Sequence, residues 1–137
     1  MLDSSFSVAH WCLLLAALLP IVCAGIAKSG MMNKPRREGG YDNHDPRSWL
    51  ARQGDWRARA NNAQTNSFEA LPFFFAAVLA AMHLGAAPLS LDLLALAFVL
   101  LRVAYIYFYI RDRAGLRSLA WTLAFLVNVA ILFLGYR

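Results

Sequence analysis

The chain has 137 residues, of which 60% are hydrophobic and 15% charged, and its formal net charge is +5 at pH 7. Soluble domains average roughly 45–50% apolar and about 25% charged residues, so this composition argues against a soluble domain. A basic nucleic-acid-binding protein carries its charge on a polar surface, which this chain largely lacks, so no nucleic-acid partner is expected. The length suits a single domain covering residues 1–137.

Four apolar segments are predicted to cross a membrane as helices. A crossing needs about 20 residues, and a helix is the only open-chain structure that satisfies its backbone polar groups in lipid. The predicted spans cover about residues 6–28, 56–84, 89–111 and 116–135. The start of the chain carries Asp3 but no basic residue, so the first span is interpreted as a retained helix and not as a cleaved signal peptide. The expected fold class is all-α, an integral membrane four-helix bundle.

The connections between the spans differ in charge. Residues 28–65 hold eight Lys and Arg, the second connection holds none, and the third holds Arg111, Arg113 and Arg117. Because basic loops stay in the cytoplasm, the first loop (about 29–55) and the third are predicted to be cytoplasmic, with both termini on the opposite side. The membrane would be the bacterial inner membrane in a prokaryotic source.

The first loop combines two kinds of sequence. Its beginning contains Gly39–Gly40 and turn-forming Asn and Asp residues, which predicts irregular structure. From about Ser48 the spacing becomes helical and continues into the second span. We therefore expect this helix to begin before the bilayer and to project a polar stem into the cytoplasm.

The cysteines indicate neither a disulfide nor a metal site. Cys12 and Cys23 both lie in the first span, about 16 Å apart along a helix, which is too far for a disulfide. No metal-ligand spacing is present, so no metal is expected.

Two polar stripes run along the predicted helices. Polar groups inside membrane helices are costly and are candidates for function. Spacings of three and four residues put each stripe on one helix face, with Gln64 on a neighbouring face. The second span carries Arg59, Asn62, Asn66 and Glu69, and the third carries Arg102, Tyr105 and Tyr109, followed by Arg111, Arg113, Arg117 and Ser118.

The two stripes favour a small anionic ligand with several carboxylates. Arginines, tyrosine hydroxyls and a helix N-terminus attract such an anion, and Glu69 with the side-chain amides would bind an ammonium and peptide groups. A cysteine-containing peptide fits this set. Arg117 would also favour its thiolate, the nucleophilic form.

Purely structural interpretations remain open. Arg59, Arg111 and Arg113 are also consistent with charges that lie in interfacial water and set the membrane topology. Asn66 and Glu69 are also consistent with hydrogen bonds to a neighbouring helix. Arg102 and Glu69 suit a structural ion pair. Asn128, deep in the fourth span, is interpreted as a helix-to-helix hydrogen-bonding residue.

Two stretches carry a family resemblance. RARANNAQTNSFEALPFFFA contains an N-x-x-E-x-x-P-F signature, and RVAYIYFYIRDRAGLRS contains R-x-x-Y-x-x-x-Y. With four spans and a long basic first loop, the chain resembles the MAPEG family (membrane-associated proteins in eicosanoid and glutathione metabolism), as a bacterial-type member. The resemblance implies a homotrimer with glutathione bound as co-substrate between neighbouring subunits, near the cytoplasmic side.

The resemblance also implies roles for single residues. Arg117 matches the arginine that stabilises the glutathione thiolate, and Ser118 matches an assisting serine. Tyr105, Tyr109 and Gln64 match ligands of the leukotriene-forming member. The candidate catalytic residues are Arg117 and Ser118, and the candidate glutathione-binding residues are Lys28, Arg59, Asn62, Gln64, Asn66, Glu69, Arg102, Tyr105, Tyr109 and Arg113.

Two positions depart from the family pattern. Asn62 stands where the mammalian enzymes usually have Arg, and Ala70 replaces a tyrosine of the leukotriene-forming member. One carboxylate anchor for glutathione is therefore lost or moved to Arg59. A charge-assisted hydrogen bond contributes about 1.5–3 kcal/mol, so its loss weakens binding without abolishing it.

The leading functional hypothesis is a membrane-bound glutathione transferase or peroxidase. It would hold glutathione as thiolate for attack on a lipophilic electrophile or hydroperoxide that enters from membrane lipid. The alternative is a non-catalytic lipid-binding or scaffold member of the same family. A small multidrug exporter fits poorly, because its key carboxylate would lie on the first span, which has none.

Overall fold

A computed structural model of the chain describes residues 6–136. Its α-helices are α1 (Val8–Lys28), α2 (Pro46–Ala51), α3 (Asp55–His83), α4 (Pro88–Ile110) and α5 (Ala114–Phe133), with a 3-10 turn at Arg36–Glu38. Helices α1, α3, α4 and α5 are each long and apolar enough to cross a membrane. The expected all-α fold with four membrane-spanning helices is confirmed.

Small residues and aromatic rings form the core of the bundle. Helix α1 packs chiefly against α3, and α4 against α5, while α4 also contacts α1 and α3. Ala77 and Ala95 are fully buried, and the rings of Phe74 and Phe98 stack with their centroids 4.0 Å apart. Small side chains let helix backbones approach closely, which is how helices associate in lipid.

The outer faces of the long helices are apolar. Leu14, Leu93, Leu100 and Leu126 are among the large hydrophobic side chains that point outward. An exposed apolar surface around a helical bundle is suited to contact with lipid chains.

The loop between α1 and α2 is irregular, as predicted, but it is folded. Gly39 adopts φ 83°, in the left-handed region that glycine tolerates best. The backbone N–H of Tyr41 donates to the carbonyl of Met31 at 2.9 Å, and the indole N–H of Trp49 donates to the carbonyl of Gly39 at 3.3 Å. These bonds hold the loop against the cytoplasmic end predicted for the bundle.

The prediction of a continuous helix from about Ser48 is wrong at residues 52–54. Helix α2 ends at Ala51; beyond it, the Gln53 side-chain amide donates to the carbonyl of Trp49 at 2.8 Å, and Gly54 adopts an extended conformation. Helix α3 begins afresh at the next residue. At 29 residues it is about 43 Å long, well beyond the roughly 30 Å of bilayer hydrocarbon, so a polar stem is present.

Both cysteines are free thiols in the packed interior. Cys12 and Cys23 are each buried on α1, in separate hydrophobic clusters. The structure thus places the two thiols in separate parts of the core.

A carboxylate ties the start of α1 to α4. Asp92, in the first turns of α4, accepts a hydrogen bond of 2.8 Å from the backbone N–H of Ala9. The first N–H groups of a helix have no partner within the helix, so the acceptor must come from elsewhere. Asp92 supplies it across 83 positions of sequence.

Replacing Asp92 by Ala should therefore destabilise the fold by about 1–2 kcal/mol, because the N–H of Ala9 loses its acceptor. Asp92→Asn keeps an acceptor oxygen and should lose less. Thermal unfolding in detergent micelles measures both, with the outward-facing Leu93→Ala as control. Equal unfolding temperatures for Asp92→Ala and this control would contradict the assignment.

Candidate functional site

A buried arginine lies at the centre of the candidate site. Arg102 on α4 is only 2% exposed, and its Nη2 donates to Asn66 Oδ1 at 2.8 Å and to Ser67 Oγ at 3.4 Å, both on α3. Its guanidinium carbon also lies 4.2 Å from the centroid of the Tyr105 ring. A cation in a membrane bundle requires such polar and aromatic partners. Arg102 therefore joins the two polar stripes by direct contact.

Glu69 is connected to Arg102 through an amide. The Nδ2 of Asn66 donates to Glu69 Oε2 at 3.3 Å, while its Oδ1 accepts from Arg102. Within residues 6–136, no acidic side chain forms an ion pair with Arg102. The direct pair between Arg102 and Glu69 is thus not formed, because Asn66 lies between them.

The two tyrosines extend this arrangement to α5. The rings of Tyr105 and Tyr109 meet edge to face with centroids 5.6 Å apart, as residues four apart on a helix can. The guanidinium carbon of Arg117 lies 4.5 Å from the centroid of the Tyr109 ring. The two stripes therefore converge with the start of α5. We call this set the polar row; it consists of Glu69, Asn66, Arg102, Tyr105, Tyr109 and Arg117.

The start of α5 adds positive potential to one end of the polar row. Arg117 lies in the first turn of α5, and its backbone N–H bonds to the carbonyl of Arg113, the N-cap residue. A helix N-terminus favours anions. Ser118 is exposed, and within the described residues its hydroxyl makes no hydrogen bond. Arg113 is also exposed and lines a separate cleft with Arg111.

Two predicted ligands lie away from the polar row in the single chain. Gln64 lines a cavity of about 420 Å³ with Arg47 and Phe68, on another face of α3. Lys28 lies at the end of α1, with its Nζ 4.6 Å from the centroid of the Tyr41 ring. Glu69 borders the cavity of Gln64 as well as the polar row, so it marks the edge between the two faces.

Arg59 and Asn62, on the stem of α3, differ in their contacts. The Nε of Arg59 donates to the carbonyl of Ile110 at 2.9 Å, so this arginine caps the last turn of α4 and is more than a solvated topology charge. Asn62 is exposed on α3, and no described residue hydrogen-bonds to its side chain. The stem of α3 therefore carries, beside the polar row, one arginine that is already hydrogen-bonded and one amide to which no described residue hydrogen-bonds.

An apolar cavity of about 220 Å³ opens between α3, α4 and α5, next to the polar row. Asn66, Glu69 and Arg102 line its polar end. The rest is lined by Ala70, Phe73, Phe98, Trp121, Ala124, Phe125 and Asn128. A mostly apolar cleft with a few polar side chains at one end is typical of small-molecule binding sites.

The sequence alone does not identify all of the residues around the polar row, and the structure bears on the interpretation of Asn128. Ser67 was not singled out, although it follows Asn66 directly, and Trp121 was missed although it lies one turn beyond Arg117. Asn128 is 3% exposed, and its Oδ1 has no hydrogen-bond partner within residues 6–136. The expected helix-to-helix hydrogen bond to that oxygen is therefore not formed in the described chain.

Comparison with known proteins places the whole bundle in one family. The family model described as MAPEG family matches residues 8–136. No curated protein and no solved structure matches the chain significantly. The match covers all four membrane-spanning helices and every residue of the polar row. The chain thus belongs to the MAPEG family and is an integral, multi-pass membrane protein of a family associated with glutathione and eicosanoid metabolism.

Proposed function

We propose that the protein is a membrane-bound glutathione transferase that also accepts hydroperoxides as substrates. The observation that carries this proposal is the continuity of the polar row with the apolar cavity, since Asn66, Glu69 and Arg102 belong to both. A water-soluble nucleophile and a lipid-soluble acceptor would thereby meet at one place. Holding two reactants together in this way is a large part of catalysis.

The side chains of the polar row suit the groups of glutathione. Glu69 would bind the ammonium, and Asn66 would exchange hydrogen bonds with a peptide group. Arg102 makes hydrogen bonds only to Asn66 and Ser67 among the described residues, so further N–H groups of its guanidinium are available for an anion. Arg59, which contacts the last turn of α4, and Arg113, at the start of α5, would attract the carboxylates.

Arg117 would stabilise the thiolate. It combines a guanidinium at the ring of Tyr109 with the positive end of α5, and both favour negative charge on sulfur. Ser118, whose hydroxyl makes no hydrogen bond to any described residue, would donate one to the sulfur or to the acceptor. The thiolate would displace a leaving group from carbon and form a thioether. With a hydroperoxide, the thiolate would attack the terminal oxygen, break the O–O bond and form a sulfenic acid, while the alkoxide leaves and takes a proton from water. The thiol of a second glutathione would then attack the sulfenic acid sulfur, which gives the disulfide and water.

A homotrimer would bring the two separated groups of ligands together. Lys28 and Gln64 lie away from the polar row in one chain, so they are available to a neighbouring subunit. A cyclic assembly repeats one heterologous contact, in which different faces of two subunits meet. Each glutathione site would then combine the polar row of one subunit with Lys28 and Gln64 of the next.

The proposed orientation puts the loops that precede α3 and α5 in the cytoplasm and both termini opposite. These loops carry the exposed cations Arg37, Arg52, Arg111 and Arg113. The glutathione end of the site would then face the cytoplasm, and the apolar cavity would face the bilayer interior.

Changing Arg117 to Ala should lower turnover of glutathione with a chlorodinitrobenzene acceptor by about a hundredfold or more, as is typical when a charge-stabilising group is lost. The thiolate absorbance of bound glutathione should disappear, because the cation beside sulfur is gone. The matched control is Arg111→Ala, an exposed arginine at the end of α4. Unchanged turnover or unchanged thiolate absorbance in Arg117→Ala would remove this residue from the mechanism.

Mixed assembly tests whether neighbouring subunits share a site. Subunits with Arg117→Ala and subunits with Lys28→Ala plus Gln64→Ala should each form sites of low activity. Co-assembled in equal amounts, about a quarter of the interfaces would combine an intact polar row with intact Lys28 and Gln64, and activity should return to that extent. Activity that stays at the average of the two parents would show that each site lies within one chain.

The second candidate function is a non-catalytic lipid-binding or scaffold protein. Two departures favour it: Asn62 has no hydrogen-bond partner among the described residues, and the small Ala70 lines the apolar cavity. Titration calorimetry with millimolar glutathione separates the two functions. Heat of binding that disappears in Glu69→Gln supports the transferase, and the absence of heat in the unaltered protein supports the scaffold.

A further inference from the structure

The far end of the apolar cavity holds one polar side chain. Asn128 lines the cavity together with Phe73, Phe98 and Phe125. It is 3% exposed, and its Oδ1 accepts no hydrogen bond from any described residue. Buried amide groups are nearly always hydrogen-bonded, so this oxygen requires a partner that residues 6–136 do not supply.

The dimensions of the cavity suit a small lipophilic molecule. Its volume of about 220 Å³ is far larger than the roughly 10–15 Å³ that a single water molecule needs. From Trp121 at the polar end to Asn128, α5 rises by about 10 Å. Between these ends the lining is apolar, and Phe73 and Phe125 lie with ring centroids 5.7 Å apart. An apolar chain with a polar group at its end matches this distribution.

The chemistry of Asn128 defines that polar group. A half-turn of the carboxamide exchanges its oxygen and nitrogen, so it can offer an acceptor or a donor to an occupant. The group must be neutral, because a charge at this depth in a membrane bundle is costly and no charged side chain accompanies Asn128 in the apolar part of the cavity. A hydroxyl satisfies both conditions.

We propose that this cavity is the acceptor subsite and that Asn128 selects lipophilic acceptors that carry a neutral hydroxyl remote from their reactive carbon. The role as acceptor subsite rests on the proposed transferase function, whereas occupation of the cavity does not. Asn128 is a specificity-determining residue, and the reacting atoms lie at the other end, beside the polar row.

Two matched acceptors test the selection. One is an eight-carbon vinyl ketone, and the other carries a hydroxyl on its last carbon. In both, the thiolate sulfur bonds to the terminal alkene carbon, the alkene electron pair moves to the carbonyl oxygen as an enolate, and the neighbouring carbon takes a proton from water. The unaltered protein should prefer the hydroxylated ketone about tenfold in kcat/KM, in keeping with one hydrogen bond.

Asn128→Leu should bring the ratio of the two kcat/KM values close to one by lowering kcat/KM for the hydroxylated ketone, because its hydroxyl loses the hydrogen-bond partner. A merely structural role of Asn128 would lower both values together. The control is Leu126→Ala, which alters an outward-facing residue two positions away on α5. A preference that survives in Asn128→Leu, or one that is lost equally in Leu126→Ala, overturns the assignment.

A binding experiment without glutathione tests whether the cavity is occupied, independently of catalysis. The probe is an eight-carbon alcohol brominated at the far end, which quenches Trp121 when it occupies the cavity; Trp11→Phe and Trp56→Phe remove two exposed tryptophans. In the protein with Asn128, quenching should level off as the alcohol concentration rises. In Asn128→Leu it should rise without levelling off. Saturable binding without conjugation of either ketone would refute the transferase function and keep the site. Quenching that is linear and equal in both proteins would refute the site itself.

Discussion

The buried guanidinium of Arg102 is the constraint on which the rest of the bundle depends. A cation within the bilayer is costly, and here it is accommodated by two hydrogen bonds from one nitrogen and by the face of one tyrosine. Because Asn66 and Ser67 lie on α3, these bonds set α3 and α4 in one register. That register in turn places the apolar cavity beside Asn66 and Glu69, which are neighbours on α3. The same contacts that make the cation tolerable therefore build the candidate site.

The polar row lies between a polar environment and an apolar one, and molecules from these two environments share no solvent. At one end, Arg117 and the start of α5 offer positive potential near the membrane surface. At the other, Asn66 and Arg102 open into a cavity lined by aromatic rings. A polar thiol and an apolar acceptor have no common solvent, so an enzyme that joins them needs adjoining compartments of this kind. The arrangement within one chain supplies both compartments and leaves Lys28 and Gln64 outside the polar row.

Local periodicity explains why much of the fold and part of the site were predictable. Asn66 with Glu69, and Arg102 with Tyr105 and Tyr109, follow from spacings of three and four on a helix. Contacts between distant residues were not predictable, since Ser67 meets Arg102 and Asp92 caps α1 only after the helices pack. The break before α3 coincides with a hydrogen bond from the Gln53 side chain and with the extended Gly54, neither of which helical periodicity reveals. Within residues 6–136, Asn128 Oδ1 has no hydrogen-bond partner, which follows from how the helices pack and not from any spacing along the chain.

The most direct test is a structure of the membrane-embedded protein solved with glutathione at saturating concentration. The account predicts glutathione along the polar row, with its sulfur beside Arg117, its ammonium at Glu69, and Lys28 and Gln64 of an adjacent subunit closing the site. Glutathione bound elsewhere would contradict the account, as would a polar row whose side chains close on one another and leave no space for it.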